Sequence, residues 1–159
     1  PIGCHLHTST TTVSSNTPFG RVVGATPDGR PAYTPVADGQ SPMRGTDAKG
    51  PTAAVKSVAK LRNWLLSCGS LYNLKFLPRD LEGDRGLQRF LSIIDYYFSM
   101  GGMQMQFNVV SRETLLDAQK HPELHQNLIV RVAGYSAYFV NLEKTVQQDI
   151  IERTEERLA

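Results

Sequence analysis

The stretch that decides the interpretation of this chain is Arg131-Val132-Ala133-Gly134-Tyr135-Ser136-Ala137-Tyr138. An apolar run, Leu128-Ile129-Val130, leads into it, and polar aromatic residues follow the single glycine at once. A short apolar run bounded by glycine predicts a strand, which we place at 128–132. Read by itself, Gly134 is a turn glycine, because glycine adopts backbone conformations that other residues avoid.

Length and composition indicate one globular domain with a hydrophobic core. The chain has 159 residues, of which 40% are hydrophobic and 20% are charged. A net charge of +2 argues against a nucleic-acid-binding surface. We also expect no membrane span and no signal peptide, because no apolar run is long enough or suitably flanked. Cys4 and Cys68 lack a paired motif and predict free thiols in a reducing, cytoplasmic setting. The chain opens with Pro1 instead of methionine, which suggests a fragment, a processed product or one piece of a larger enzyme.

Helices alternate with strands along the sequence, which predicts an α/β fold. Residues 16–51 contain six of the nine prolines and six of the thirteen glycines, so we expect an ordered loop of turns there. Apolar spacing predicts helices from Thr52 to about Cys68, over 86–100, over 113–120 with Ser111 as N-cap, and over 141–158. Strands are expected at 71–76, 103–110 and 128–132. The 86–100 helix carries an apolar stripe of Leu87, Phe90, Leu91, Ile94 and Phe98.

Two of these elements carry polar residues that need partners. In the segment 103–140, the 103–110 strand places Gln104, Gln106 and Asn108 on one face, which either lines a cavity, meets a loop or is solvated. The terminal helix at 141–158 presents Leu142, Val146 and Ile150 on its apolar face. Its residues Asp149 and Arg153 are spaced for an ion pair, which we place on the polar side.

Other possible sites are weaker. Gly24 to Arg30 has the glycine spacing of a phosphate loop, but Pro31 follows where that motif needs Ser or Thr and the start of a helix. Metal ligands are conceivable at Cys4, His5 and His7, but that group lacks a second cluster. His121 and His125 have the spacing of helical ligands, but Pro122 between them favours a loop that leads into a helix. Packing explains the methionines at 100, 103 and 105 better than a cofactor site does. We therefore predict neither a metal site nor a bound cofactor.

Several segments, in order, resemble the glycyl radical enzyme family. The stretch 131–135 is similar to its Arg-Val-x-Gly-Tyr signature, and 24–30 is similar to its Gly-Ala-x-Pro-Asp-Gly-Arg stretch. Asp38-Gly39-Gln40-Ser41-Pro42 and Lys49-Gly50-Pro51-Thr52-Ala53 resemble the segment that follows. Phe107-Asn108-Val109-Val110 resembles the strand before the radical loop, and 150–154 resembles the closing helix. Together these matches cover nearly all of residues 1–159.

The resemblance implies the C-terminal portion of a ten-stranded α/β barrel, in which Gly134 stores a backbone radical. A glycine suits that role because no side chain crowds the planar radical carbon. Arg131, Tyr135 and Ser136 would support the loop. A radical-SAM activating enzyme would remove a hydrogen atom from Gly134, and an upstream cysteine would become the thiyl radical that attacks a small organic substrate. Neither Cys4 nor Cys68 lies in the context of that cysteine.

The resemblance leaves the whole protein's role open. We expect the radical-bearing part of a lyase that cleaves C–O, C–N, C–S or C–C bonds, inactive without the rest of the barrel, in the same chain or another, and homodimeric. A stand-alone spare part that repairs an oxygen-cleaved enzyme is one alternative. An arylsuccinate synthase-type addition enzyme and an inert structural domain are the others.

Overall fold

The computed structural model describes Gly3, residues 7–153 and residues 155–156. The helices are α1 (Asn16–Gly20), α2 (Pro51–Val58), α3 (Gly83–Ser99), α4 (Arg112–Lys120) and α5 (Lys144–Glu152). The strands are β1 (Asn73–Phe76), β2 (Gln106–Val109), β3 (Ile129–Arg131), β4 (Ser136–Tyr138) and β5 (Glu155–Glu156). Helices and strands alternate, so the α/β expectation is confirmed, whereas a ten-stranded barrel is not visible in the described residues.

The larger sheet is parallel, with β1 between β2 and β5. Residue Asn73 of β1 is in register with Gln106 of β2, and Phe76 is in register with both Val109 and Glu156. All four residues of β1 are buried, as is typical of a central parallel strand. Helices α2 and α3 pack against this strand. Together they form the first hydrophobic core around Val55, Tyr72 and Tyr97.

A second core lies beneath an antiparallel hairpin. Strand β3 pairs with β4 so that Ile129 faces Tyr138 and Arg131 faces Ser136. Helices α4 and α5 pack under the hairpin, and the core contains Leu115, Val130, Phe139, Ile150 and Ile151, among other residues. The hairpin is therefore tied to the last helix of the chain by buried apolar contacts.

The predicted elements are present, with corrections to several boundaries. The 113–120 helix is confirmed as α4, and the Ser111 hydroxyl accepts a hydrogen bond from the Thr114 amide at 3.1 Å. Helix α2 ends at Val58 instead of continuing to Cys68, and a short 3-10 turn at 63–65 follows. The strand expected over 103–110 is shorter and begins at Gln106.

The apolar stripe predicted for α3 is only partly correct: Phe90 packs against the first core, whereas Leu87, Leu91 and Phe98 are exposed. The residues that α3 buries are Gly86, Ile93 and Tyr97, whereas Leu87 and Leu91 are 50% and 48% exposed. A Cβ on Gly86 would lie 2.6 Å from the Asp80 carbonyl oxygen, so the chain approaches too closely for a larger residue. The buried residues Gly86, Ile93 and Tyr97 each lie one position before a residue of the predicted stripe.

The terminal helix also ends earlier than expected. Helix α5 stops at Glu152, Arg153 is extended, and Glu155 and Glu156 join the sheet as β5. Residues 154, 157 and 158 of the predicted helix lie outside the described residues. The buried Lys75 ammonium donates to the Ile151 carbonyl at 3.1 Å, and Arg112 donates to the same oxygen at 3.3 Å. Two cations at the carbonyl end of α5 favour its termination there.

Residues 16–51 form turns around the five-residue helix α1. The buried Arg30 guanidinium donates to the carbonyl oxygens of Gly24 and Thr34, the latter at 2.7 Å. Its donors are thus used to fold the loop on itself. Among the described residues, no helix combines the length and the apolar character needed to cross a membrane.

Candidate functional site

Gly134 lies at the tip of the β3–β4 hairpin. Residues 132–135 connect the strands, and the Val132 amide donates to the Tyr135 carbonyl at 2.9 Å. Gly134 has φ of +81°, a conformation that favours glycine. Its neighbours Val132 and Ala133 are buried, whereas Gly134 and Tyr135 are exposed in this chain. The hairpin tip thus exposes Gly134, whereas the two residues before it are buried.

A single buried glutamine binds this tip. The Gln106 Oε1 atom of β2 accepts from the Gly134 amide at 3.0 Å and from Arg131 Nε at 2.8 Å. Its Nε2 atom donates to the Asn73 Oδ1 atom on the adjacent strand. Gln106 is 5% exposed, so water does not compete freely for these bonds.

Asn108, two residues further along β2, binds the main chain of the hairpin. Its Nδ2 atom donates to the Arg131 carbonyl at 2.6 Å, and its Oδ1 atom accepts from the Arg131 amide at 2.7 Å. The side-chain amide therefore pairs with β3 as a neighbouring strand would. Of the three outcomes left open for the polar face of the 103–110 segment, contact with a loop is the one observed for Gln106 and Asn108.

The other side of the tip is bound by Arg153. Its Nη1 atom donates to the Val132 carbonyl at 2.7 Å, and its Nη2 atom donates to Asp149 Oδ2 at 3.1 Å. Arg153 Nε also lies 3.4 Å from Asp38 Oδ2. Arg153 and Asp149 are 8% and 3% exposed, so the predicted i,i+4 pair exists but is buried rather than on a polar side.

Asp149 and Asp38 extend this buried network into the proline- and glycine-rich loop. Asp149 Oδ1 accepts from Asn16 Nδ2 at 2.9 Å and forms an ion pair with Arg44. Asp38 Oδ2 accepts from Asn73 Nδ2 at 2.6 Å. Buried charges need such partners, because an unpaired one is costly. The hairpin tip, the loop, β1 and the end of α5 thus share one polar network.

The structure brings the four sequence-predicted residues together. Arg131, Gly134, Tyr135 and Ser136 share the hairpin, and Arg131 Nη1 donates to Ser136 Oγ at 3.2 Å. Sequence reasoning did not select Asn73, Asp38 or Arg153 as site residues. Gln106 was flagged only as a member of a polar face. The signal available for it was the alternation of amides with apolar residues, which implies buried amides with partners.

Two of the histidines considered as metal ligands, His125 and His7, have local polar partners. Within the part of the chain that the structure describes, no group of three or more His, Cys, Asp or Glu residues is arranged to hold a metal ion. His125 Nε2 lies 2.7 Å from Asp117 Oδ2, and His7 Nδ1 lies 2.7 Å from Ser67 Oγ. Cys68 is free and exposed. Cys4 and His5 lie outside the described residues.

Curated relatives and solved structures resemble the whole of this chain. It is 47% identical over 159 residues to the "Probable dehydratase YbiW" of Escherichia coli K12, covering 99% of this chain and 20% of that protein. It is 43% identical to an isethionate sulfite-lyase of Oleidesulfovibrio alaskensis, covering 97% of this chain and 19% of that protein. The chain therefore spans about a fifth of the length of these relatives.

Solved structures match at the level of the fold and the sequence. A structure concerned with 1,2-propanediol dehydration in Roseburia inulinivorans superposes with a TM-score of 0.89 and 57% identity, covering 92% of this chain and 18% of that one. The B12-independent glycerol dehydratase of Clostridium butyricum gives 0.88 and 54%, covering 90% and 18%. The family model described as "Glycine radical" matches residues 36–140, more than half of the chain and including the whole hairpin. With the hairpin glycine, the family model and these relatives in agreement, the chain belongs to the glycyl radical enzyme family.

Proposed function

We propose that Gly134 stores the backbone radical of a glycyl radical enzyme, and that this chain is the radical-bearing part of a longer protein. The observation that carries the proposal is the hairpin tip: a left-handed glycine inside the family match, near its C-terminal end, with its amide bound by Gln106. Among the described residues, a Cβ built on Gly134 would contact only the Leu71 methyl groups, at 3.7 and 3.8 Å. Space is therefore available, and the requirement for glycine comes from conformation and chemistry.

The radical forms when one hydrogen atom leaves the Gly134 α-carbon by homolytic cleavage. We propose that a radical-SAM activating enzyme, as a partner protein, accepts that atom. The exposure of Gly134 in this chain leaves its α-carbon open to whatever covers the hairpin in the complete protein. There the radical would take a hydrogen atom from a cysteine thiol, and the resulting thiyl radical would take one from the substrate.

Dehydration of a small vicinal diol is the reaction that the comparisons favour. Identity is 57% and 54% to the two structures concerned with diol and glycerol dehydration, against 43% to the isethionate sulfite-lyase. Loss of water from such a diol leaves an aldehyde. Anaerobic assay of the activated, complete enzyme with 1,2-propanediol, glycerol and isethionate would decide between C–O and C–S cleavage, because only the last releases sulfite.

Replacing Gly134 with alanine tests the radical assignment. Gly134→Ala should abolish the organic-radical doublet in electron paramagnetic resonance of the activated, complete enzyme. Alanine at positive φ costs roughly 1–2 kcal/mol, so most of the protein should stay folded. Gly101→Ala is the matched control, since Gly101 has φ of +87° and open space around it. A doublet of wild-type intensity in Gly134→Ala would refute the assignment.

A further inference from the structure

We infer that Gln106 is a positioning residue of the radical site, acting on the amide group of Gly134. The inference rests on the proposed role of Gly134. Oε1 of Gln106 is the acceptor for the Gly134 N–H, at 3.0 Å, and it also accepts from Arg131 Nε, at 2.8 Å. The contact is made to the residue that would carry the unpaired electron, from a side chain that is almost completely buried.

The hydrogen bond has a chemical consequence for a radical at Gly134. An α-carbon radical is stabilised by conjugation with the amide nitrogen on one side and the carbonyl group on the other. Conjugation requires the three groups to be coplanar. A fixed acceptor on the N–H sets the plane of that peptide group, and it also polarises the N–H so that the nitrogen donates more electron density. At the φ of +81° seen here Gly134 is not yet coplanar with its amide group, so Gln106 would hold that peptide group in place while the α-carbon flattens, and would stabilise the radical once it is flat.

The neighbours of Gln106 leave its amide only one orientation. Its Nε2 atom donates to Asn73 Oδ1, and Asn73 in turn donates through Nδ2 to Asp38, whose carboxylate accepts at 2.6 Å. A flipped Gln106 amide would direct its NH₂ group at two other donors, the Gly134 amide and Arg131. The carboxylate of Asp38 thus fixes, through Asn73, which end of Gln106 faces the glycine.

The test uses two substitutions of Gln106 in the complete enzyme, activated without oxygen. Gln106→Met keeps the length of the side chain but removes the acceptor. Gln106→Glu, measured at a pH where its buried carboxyl is protonated, keeps an acceptor oxygen for Gly134 and Arg131 and an O–H donor for Asn73 Oδ1. Gln104→Met is the matched control, because Gln104 accepts from the Tyr72 amide at 3.0 Å and serves the first core instead of the hairpin. The measurements are the anaerobic half-life of the radical and the hyperfine coupling of its exchangeable amide proton, from electron–nuclear double resonance in H₂O and D₂O.

Gln106→Met should change the amide-proton coupling and shorten the half-life of the radical by roughly three- to tenfold, as expected for one lost hydrogen bond. Gln106→Glu should restore the wild-type coupling, and Gln104→Met should leave it unchanged. A merely structural role would not alter the coupling selectively. Wild-type coupling and half-life in Gln106→Met would overturn this inference alone, as would failure of Gln106→Glu to restore the coupling. Absence of a doublet in the wild-type enzyme would overturn the proposed function, and this inference with it.

Discussion

Glu156 shows how burial of a single residue sets a charge state in this fold. Its side chain is 2% exposed, in β5 beside the central strand. Burial, followed by the nearby Asp47 carboxylate, raises the pKa of Glu156 to about 8. The folded protein therefore holds a proton here at pH values where the unfolded chain, with its ordinary pKa of 4.5, has released it. Folding stability must fall as the pH rises from about 4.5 to about 8.

Glu156→Gln should remove this loss of stability. Glutamine is neutral at every pH and retains an N–H donor for Asp47, so the variant should exceed the wild type in stability at pH 7 and above but match it near pH 4. Hydrogen exchange of peptides covering 73–76 and 155–156, compared at equal pH, measures the difference. Glu143→Gln is the control, because Glu143 forms only an exposed ion pair with Arg21. Equal protection of Glu156→Gln and the wild type at pH 8 would contradict the prediction.

Single residues also show what the sequence can predict about this site. Gly134 was identifiable because the Arg-Val-x-Gly-Tyr match is local and needs no knowledge of the fold. The ion pair of Asp149 and Arg153 was placed on the wrong side, because i,i+4 spacing is satisfied on any face of a helix. Burial of that pair depends on Asp38 and the Val132 carbonyl, which lie far away in sequence.

At the scale of elements, the predictions that the structure confirms rest on local sequence signals. Ser111 predicted the start of α4 because an N-cap acts within one turn. The end of α5 was missed because pairing of β5 with β1, a contact between distant segments, overrides the helical pattern. The buried side of α3 was only partly predicted because apolar residues occur on both sides of that helix.

Access to Gly134 should depend on how tightly α5 packs beneath the hairpin. Ile150 is fully buried and Val146 partly buried in the core beneath the hairpin. Replacing both with alanine should weaken docking by roughly 1–4 kcal/mol in total. We expect the hairpin and α5 to open together, which should speed activation and impair turnover in the complete enzyme.

Hydrogen exchange with and without the activating enzyme tests this coupling. Amides in 133–139 and 144–152 should lose protection together when the activating enzyme binds, and more so in the double variant. Thr145→Ala, at an exposed position of the same helix, should behave as the wild type. Unchanged protection of either segment in the presence of the activating enzyme would rule out shared opening.

At the scale of the whole molecule, the radical proposed for Gly134 would make the backbone sensitive to oxygen. A radical at Gly134 would capture O₂, and the peroxyl group formed there would lead to cleavage of the main chain. Air exposure of the activated, complete enzyme should therefore release a peptide beginning near Tyr135, detectable by mass spectrometry. Gly134→Ala should stay intact under the same treatment. An uncut chain, after a radical had been quantified in it, would count against this prediction.

The way Asn108 and Gln106 fasten the hairpin has a mechanical consequence. Backbone strands joined to a sheet must separate along a continuous row of hydrogen bonds, whereas this hairpin is attached to β2 by individual side-chain amides. Each of these bonds can break separately once the hairpin starts to leave, and none belongs to the pairing between β1 and β2. The hairpin can thus leave β2 while the parallel sheet keeps its register. The same side-chain amides remain in place and can bind the hairpin again when it returns.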